Sequence, residues 1–599
     1  MTSAREREQR PIRIGNSSGF YGDRASAMAD MARAGHIDVL TGDYLAEVTM
    51  LILGKARAKD NTRGYAATFL QHLDAALAHL VANGIRLVVN AGGLNPAGLA
   101  DATRELITHR GYDLRVSHIE GDDVFGRLDA LQQAGHSLPH LTSGEPLSSW
   151  PHQALTANAY LGAFGIARAL DNGADIVITG RVADASLVVG AVAWWWSWTP
   201  DAYDALAGAV AAGHVIECGP QATGGNFSGF RAVSNLVHPG FPIAEIDADG
   251  SSVITKNPGT GGAVTRDTVT AQLLYEIGEP AYLNPDVVAH LDTATLTDLG
   301  DDRVEIRNVR GSAPPATTKV AITGVGGWQN NVLLALTGTD LDAKAALVEQ
   351  SVDRYIETAD GLDAVAIDRI GNAQQDPESQ NAGTELLRIA VQGTKEAAGR
   401  TFSSRMVELA LSSYPGMYSL GPPQPGSAFG VYWPALLDQA LLEHVVHHHD
   451  GAIENIAPCN PQDDRRGVSR QGDVSLPQSV PAWTDELVVA TLGEIVHARS
   501  GDKGGDANLG VWVRDAQAWE WLKWNLTVDE LRRLLPETRA LPITRYELPN
   551  LGAVNFLIQG LLGTGATSSL RLDSQAKALG EWLRSRGTKV PKSLVTGQH

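Results

Sequence analysis

Five times between residues 11 and 193 the chain repeats one order: a short apolar run, a turn of glycine and polar residues, then an amphipathic helical stretch. Residues 12–14 lead into Gly15 to Asp23, 37–40 into Thr41 to Tyr44, 85–89 into Asn90 to Pro96, and 114–119 into Glu120 to Asp123. The fifth run, from Asp175, ends in Gly180, Arg181 and Asp184. Helical periodicity fills the gaps, as where Leu70, Leu73, Leu77 and Leu80 recur at three- and four-residue spacing within 65–81. This order predicts an α/β fold: a mostly parallel sheet with helices on both faces. All five turns then collect along the carboxyl edge of the sheet, where open α/β folds place ligands.

Residues far apart in the chain thereby become one candidate surface. From the turns come Asn16, Ser17, Ser18, Gly19, Asp43, Asn90, Gly92, Gly93, Asp122 and Gly180 as substrate-contacting candidates. Arg181 supplies a cation and Asp184 a carboxylate, the latter expected at or near the N-cap of a helix over 185–193. A second glycine-rich turn, Glu217 to Phe227, offers Gly224, Gly225 and Asn226 as an anion cradle and Cys218 as a candidate thiolate. Gly15, Ser17 and Gly19 also match the spacing of a nucleophile elbow, although no histidine or acid can be assigned as partner to Ser17.

From residue 242 the period shifts toward two. A hairpin is expected from strands at 244–246 and 252–255 around Asp247 to Gly250, then a helix over 266–276. Strands are expected at 304–309, 319–323, 332–336, 365–370 and 386–391, with a helix over 341–358. The expected organisation is an α/β domain at 11–240, a mixed α+β second lobe of the same large domain at 241–456, a proline-containing linker at 457–485, and a ferredoxin-like α+β domain at 486–590. In that last domain, strands near 487–497 and 509–513, helices near 517–524 and 528–535, strands near 544–548 and 553–558 and a helix over 574–586 are expected. Between its first two strands, residues 497–510 read as a loop dense in function. Arg499 and Lys503 suit an anion, Asp502 and Asp506 suit proton transfer, and the glycines permit close approach.

Composition limits the partners. With 48 basic against 68 acidic residues the net charge is −20, which disfavours nucleic acid. Two cysteines exclude a disulfide framework, no uninterrupted apolar run reaches the length of a membrane span, and residues 1–10 are charged. A soluble, cytoplasmic protein is expected. Trp194, Trp195, Trp196 and Trp198 read as core packing or a subunit contact, and together with the length lead to the expectation of a homo-oligomer. His444, His447, His448 and His449 read as a solvated face near the end of a helix, with any metal unknown.

The opening Ile-Gly-Asn-Ser-Ser-Gly-Phe-Tyr-Gly-Asp, Asn-Ala-Gly-Gly-Leu-Asn-Pro, Ile-Thr-Gly-Arg-Val-Ala-Asp, Glu-Cys-Gly-Pro-Gln-Ala-Thr-Gly-Gly-Asn and Ala-Arg-Ser-Gly-Asp-Lys-Gly together resemble the acyclic terpene utilisation AtuA family. The resemblance covers about 12–457 as the family's large domain and 486–586 as its ferredoxin-like tail. It implies a part in bacterial breakdown of branched acyclic terpenoids such as citronellol and geraniol through coenzyme A thioesters, and a lyase step. No cofactor is firmly implied beyond a coenzyme A thioester as substrate. The residues then suggest a lyase passing through an enolate, with Arg181 and Lys503 holding charge and Asp184 or Asp502 moving the proton. Two other readings stand beside it: an accessory subunit of an acyl-CoA carboxylase or other pathway enzyme, and a hydrolase using Ser17 or Cys218.

Overall fold

The computed structural model describes residues 10–459 and 485–595. Four of the five apolar runs form β1 (Ile12–Asn16), β2 (Val39–Gly42), β3 (Arg86–Val89) and β4 (Val116–Glu120). After β5 (Ala154–Ala159), which joins another sheet, the fifth forms β6 (Ile176–Thr179). β1, β2, β3, β6 and β4 stand in that order and run parallel. β6 therefore lies between β3 and β4, and its carboxyl end opens beside theirs.

Nearly every residue of these strands is buried because both faces are covered. Leu40, Leu87, Ile176 and Ile178 pack with Met28, Phe69, Leu77 and Ile107 from helices Ala27–Ala34, Thr68–Asn83 and Pro96–His109. Val39, Val88 and Val177 turn the other way, onto Ile166, Val188, Val192 and Val210 from helices Phe164–Asp171, Ser186–Trp196 and Tyr203–Ile216. Trp194 and Trp195 are buried within this second layer, and the indoles of Trp196 and Trp198 donate to the carbonyls of Ile246 and Ala248. The tryptophan cluster is thus used inside the chain.

The sheet grows to eleven strands by antiparallel additions on both sides. β7 (Pro242–Ile246) pairs with β1 and carries the expected hairpin to β8 (Ser252–Lys256), closed by Gly250 at φ 83. Residue 240 thus falls within the span of one sheet. At the opposite edge, Val445–His447 pairs with β4. The histidine run therefore sits on and beside a sheet strand and not at a helix end. Val445 and Val446 join the pleated edge of β4, and β-branched pairs of this kind favour a strand.

A second sheet is centred on Thr317–Thr337, flanked by Thr384–Gly393 and Ser427–Asp438, with β5 against its first half. The two strands expected at 319–323 and 332–336 are halves of this one 21-residue strand. The ladder shifts register between Val325 and Gly327, so the Gly326-Gly327 pair does not end the strand.

The C-terminal part is a small α+β unit with the element content of a ferredoxin-like domain. Its four antiparallel strands stand in the order His497–Lys503, Asp506–Trp512, Ala553–Ile558, Ile543–Leu548. The strand expected over 487–497 breaks at Leu492–Glu494, where Thr491 and Glu494 cap one another, and the helix expected over 574–586 shortens to Leu579–Arg584. Residues 497–510 form a two-stranded hairpin and not the expected loop, because their polar side chains meet partners on the large domain. Of the linker expected at 457–485, residues 460–484 lie outside the described residues. No helix among the described residues is long and apolar enough to cross a membrane.

Candidate functional site

The end of β6 is built around one buried arginine. The backbone N–H of Arg181 donates to Asp122 Oδ2 at 2.9 Å, and Asn158 Nδ2 donates to the same oxygen at 2.7 Å. Glycine is required just before it, since a Cβ on Gly180 would lie 2.3 Å from Asp122 Oδ1. The guanidinium, only 4% exposed, is then aimed by three acceptors: Asp184 Oδ1 at 2.6 Å, the Leu45 carbonyl at 3.1 Å and the Tyr160 hydroxyl at 2.8 Å. Asp184 was expected to cap the following helix. The N-cap is Ala185, and the carboxylate serves Arg181 instead.

Arg181 and Asp184 line a cavity of about 1950 Å³. Its walls come from the carboxyl edge of the parallel sheet, the second sheet, the segment after helix Arg266–Leu273 and the tip of the C-terminal hairpin. Beside Arg181, Tyr160 donates its hydroxyl to Glu47 Oε1, and Lys319 of the second sheet reaches the same oxygen at 3.2 Å. Burial alone would raise the Glu47 carboxyl, but the charges of Lys319 and then Arg181 outweigh it and hold the group down at about 2. Lys319 also lies over the rings of Tyr160 and Tyr432, 4.9 and 5.5 Å from their centroids. Phe20, Val48, Leu51, Ile52, Leu283 and Phe429 supply the apolar wall.

The lining also carries groups whose ionisation burial opposes. His214 Nδ1 and Glu217 Oε1 are 2.9 Å apart. Burial, aided by the Lys503 charge, pushes the imidazole down to about 4, and burial with the Asp184 charge raises Glu217 well above the usual carboxylate range. Lys503 opens onto the cavity and donates to the Glu276 carbonyl at 2.8 Å. The protein surrounding it, and then the Lys319 charge, lower its ammonium from its ordinary value. Asp502, the preceding residue, makes no ion pair among the described residues, and burial followed by the charges of Glu276 and Glu47 pushes it up to about 7. The cavity thus joins cations that can hold an anion to a carboxyl poised to exchange a proton near neutral pH.

Of the residues singled out in the sequence, Gly19, Asp43, Arg181, Asp184, Cys218, Gly225, Asn226, Asp502 and Lys503 line the cavity. Others stand behind its wall. Asn90 donates to Asp43 Oδ1 at 2.6 Å, Asn16 accepts from the Ser18 N–H and donates to the Glu217 carbonyl, and Ser17 and Ser18 donate their hydroxyls to the carbonyls of Thr41 and Phe20. Gly92 passes under the Thr179 carbonyl, Gly93 adopts φ 53, and Gly224 adopts φ 109 at the end of a short 3-10 turn. Arg499 docks the hairpin, donating to the Asn226 carbonyl and to Gln221 while stacking 4.1 Å from the Tyr275 ring centroid. Asp506 accepts from the Gly560 N–H within the C-terminal domain. Burial and then the Glu217 charge raise the Cys218 thiol well above its ordinary value, which disfavours the thiolate a nucleophile needs.

Sequence reasoning missed Glu47, Tyr160, His214, Tyr275, Glu276, Tyr282, Lys319 and Tyr432, all of which line the cavity. Glu47 stands four residues beyond Asp43 and could have been included with that turn. Lys319 and Tyr432 lie inside strands whose alternation looks like ordinary sheet. Among the described residues, a grouping of three ligand-type side chains that could hold a metal lies away from the cavity, at His118, Glu120 and His447.

The description "acyclic terpene utilisation family protein AtuA" matches residues 12–448, which include every cavity residue of the large domain named above. The chain belongs to the AtuA family. A second match, to the AtuA ferredoxin-like domain, covers residues 490–588 and contributes Asp502 and Lys503. No curated protein matches the chain significantly. Membership places this AtuA-family chain in acyclic terpene utilisation, and its two family domains meet at one cavity.

Proposed function

We propose that the cavity binds a branched acyl ester, as a coenzyme A thioester, and cleaves it as a lyase through an enolate. The carrying observation is the convergence of Arg181, Lys319 and Lys503 with Asp502 in one apolar-walled cavity. Its volume exceeds the ~300–1,000 Å³ usual for small-molecule sites, which leaves room for an acyl group together with its carrier.

In a substrate with a β-hydroxyl, ionised Asp502 takes the hydroxyl proton and the bond between the α- and β-carbons breaks. The β-carbon leaves as a carbonyl, and the electron pair passes to the thioester oxygen as an enolate. Lys503 retains ammonium donors beyond its bond to Glu276, and with Arg181 it stabilises that charge where it develops. The proton on Asp502 then returns to the α-carbon, so atoms and charge balance. The hydrolase reading has less support, because the Ser17 hydroxyl is committed to the Thr41 carbonyl and the Cys218 thiol is held protonated.

Calorimetric titration with branched acyl-CoA esters, coenzyme A and the matching free acids tests the binding half. The esters are expected to bind the wild type and to lose at least tenfold in affinity in Arg181→Ala. Equal affinity for coenzyme A alone, or an unaltered Arg181→Ala variant, would contradict the assignment.

A further inference from the structure

We propose that His118, Glu120 and His447 form a binding site for a divalent transition-metal cation, Zn²⁺ in kind, on one face of the large sheet and apart from the cavity. His118 and Glu120 are two residues apart on β4 and so project to the same face, and His447 stands directly opposite His118 on the antiparallel neighbour strand. The two imidazoles stack with centroids 4.5 Å apart and planes within 2°. Both present Nε2 to the same carboxylate: His447 at 3.2 Å from Glu120 Oε2, His118 at 3.9 Å from Oε1. All three ligand atoms fall within 4.8 Å of one another.

Backbone pairing sets the three side chains next to one another, and one imidazole, the more exposed His447, must turn out of the stack before both Nε2 lone pairs can point at one cation. His118 is buried, yet its Nδ1 has no hydrogen-bond partner among the described residues, so the ring is not held by a structural hydrogen bond through that atom. Two imidazoles and one carboxylate suit Zn²⁺, Co²⁺ or Ni²⁺ better than Ca²⁺ or Mg²⁺, which favour all-oxygen shells. Metal–nitrogen bonds of about 2.0–2.1 Å place tetrahedral ligand atoms roughly 3.3 Å apart, so His447 and Glu120 already stand at that spacing, His118 and Glu120 close by roughly 0.6 Å, and no pair closes by more than about 1.5 Å. Glu120 and His447, 40% and 31% exposed, have the freedom to do so and leave a position open to water. Bound there, the cation would tie Val445–His447 to β4 and fix that edge of the sheet.

The test uses the untagged chain, stripped with chelator and titrated with Co²⁺ and Zn²⁺. One Co²⁺ per chain with visible d–d absorption, and a rise in unfolding temperature with Zn²⁺, are expected for the wild type. Glu120→Gln and His447→Ala should each weaken binding at least tenfold, while His449→Ala should not. Circular dichroism and the unfolding temperature without metal establish that each variant is folded. Glu120→Gln, at a half-exposed position, retains the shape of the side chain and serves if His447→Ala does not fold. Absence of binding to the wild type, or binding that survives both ligand variants, would overturn the site.

Discussion

On the proposed mechanism a buried arginine and a carboxyl outside any ion pair divide the labour at the site. Arg181 is fixed on Asp184, Tyr160 and the Leu45 carbonyl, whereas Asp502 makes no ion pair among the described residues, and burial with the charges of Glu276 and Glu47 pushes it up to about 7 against the opposing charge of Lys577. Its pKa is raised, so the carboxyl is protonated below about pH 7 and becomes a base only above it. On the proposed mechanism kcat/KM of the wild type rises with pH through about 7. Asp502→Asn should lose that limb and about 10²–10⁴-fold in rate; a retained limb would assign the titration to another group. The place of Arg181, Asp184, Asp502 and Lys503 on the cavity wall was legible in the sequence because ionisable residues crowd beside glycines there. Lys319 and Glu47 were not, since 272 residues separate them and only folding of the second sheet over the first brings them together.

At the scale of elements, the strand-turn-helix repeat carried enough information to place β1, β2, β3, β4 and β6, because a strand covered on both faces presents apolar residues to each layer, as Val116 and Ile119 do even in the more polar β4. The placing of β5 in another sheet was not legible: its pairing with Val320 to Gly324 depends on a strand more than 150 residues later. The histidine run misled for a related reason, as four histidines in six residues suggest a helix end until the neighbour strand is known. Gly180 shows what the turn after β6 requires. A methyl group there would meet Asp122 Oδ1 at 2.3 Å and displace the carboxylate that holds the Arg181 N–H. Gly180→Ala should cost about 1–3 kcal/mol in urea unfolding, and an unchanged midpoint would show that the turn has room to spare.

The whole molecule is two family domains closed on one cavity. The C-terminal hairpin packs so tightly that a Cβ on Gly501 would stand 2.6 Å from the Tyr275 ring, and one on Gly510 would stand 2.7 Å from Leu274 Cβ. Asn508 accepts from the Glu276 N–H, and Asn555 donates to the Gly278 carbonyl. This polarity on a small domain's strands was visible in the sequence as a dense motif, but its meaning as a docking face required the partner surface. Gly510→Val should loosen that docking, so that differential scanning calorimetry shows an earlier transition for the C-terminal domain and acyl-CoA binding weakens. A single unchanged transition would mean the domains do not depend on this contact.

On the proposed mechanism both domains act together on one enolate, and the reaction in heavy water reads that step. Branched 3-hydroxyacyl-CoA esters are incubated with the full chain in D₂O, and the products are read by mass spectrometry. Cleavage between the α- and β-carbons is expected, with deuterium on the α-carbon of the released thioester, abolished in both Asp502→Asn and Arg181→Ala. Release of free coenzyme A and an intact acid, or esters unchanged by the wild type, would contradict it.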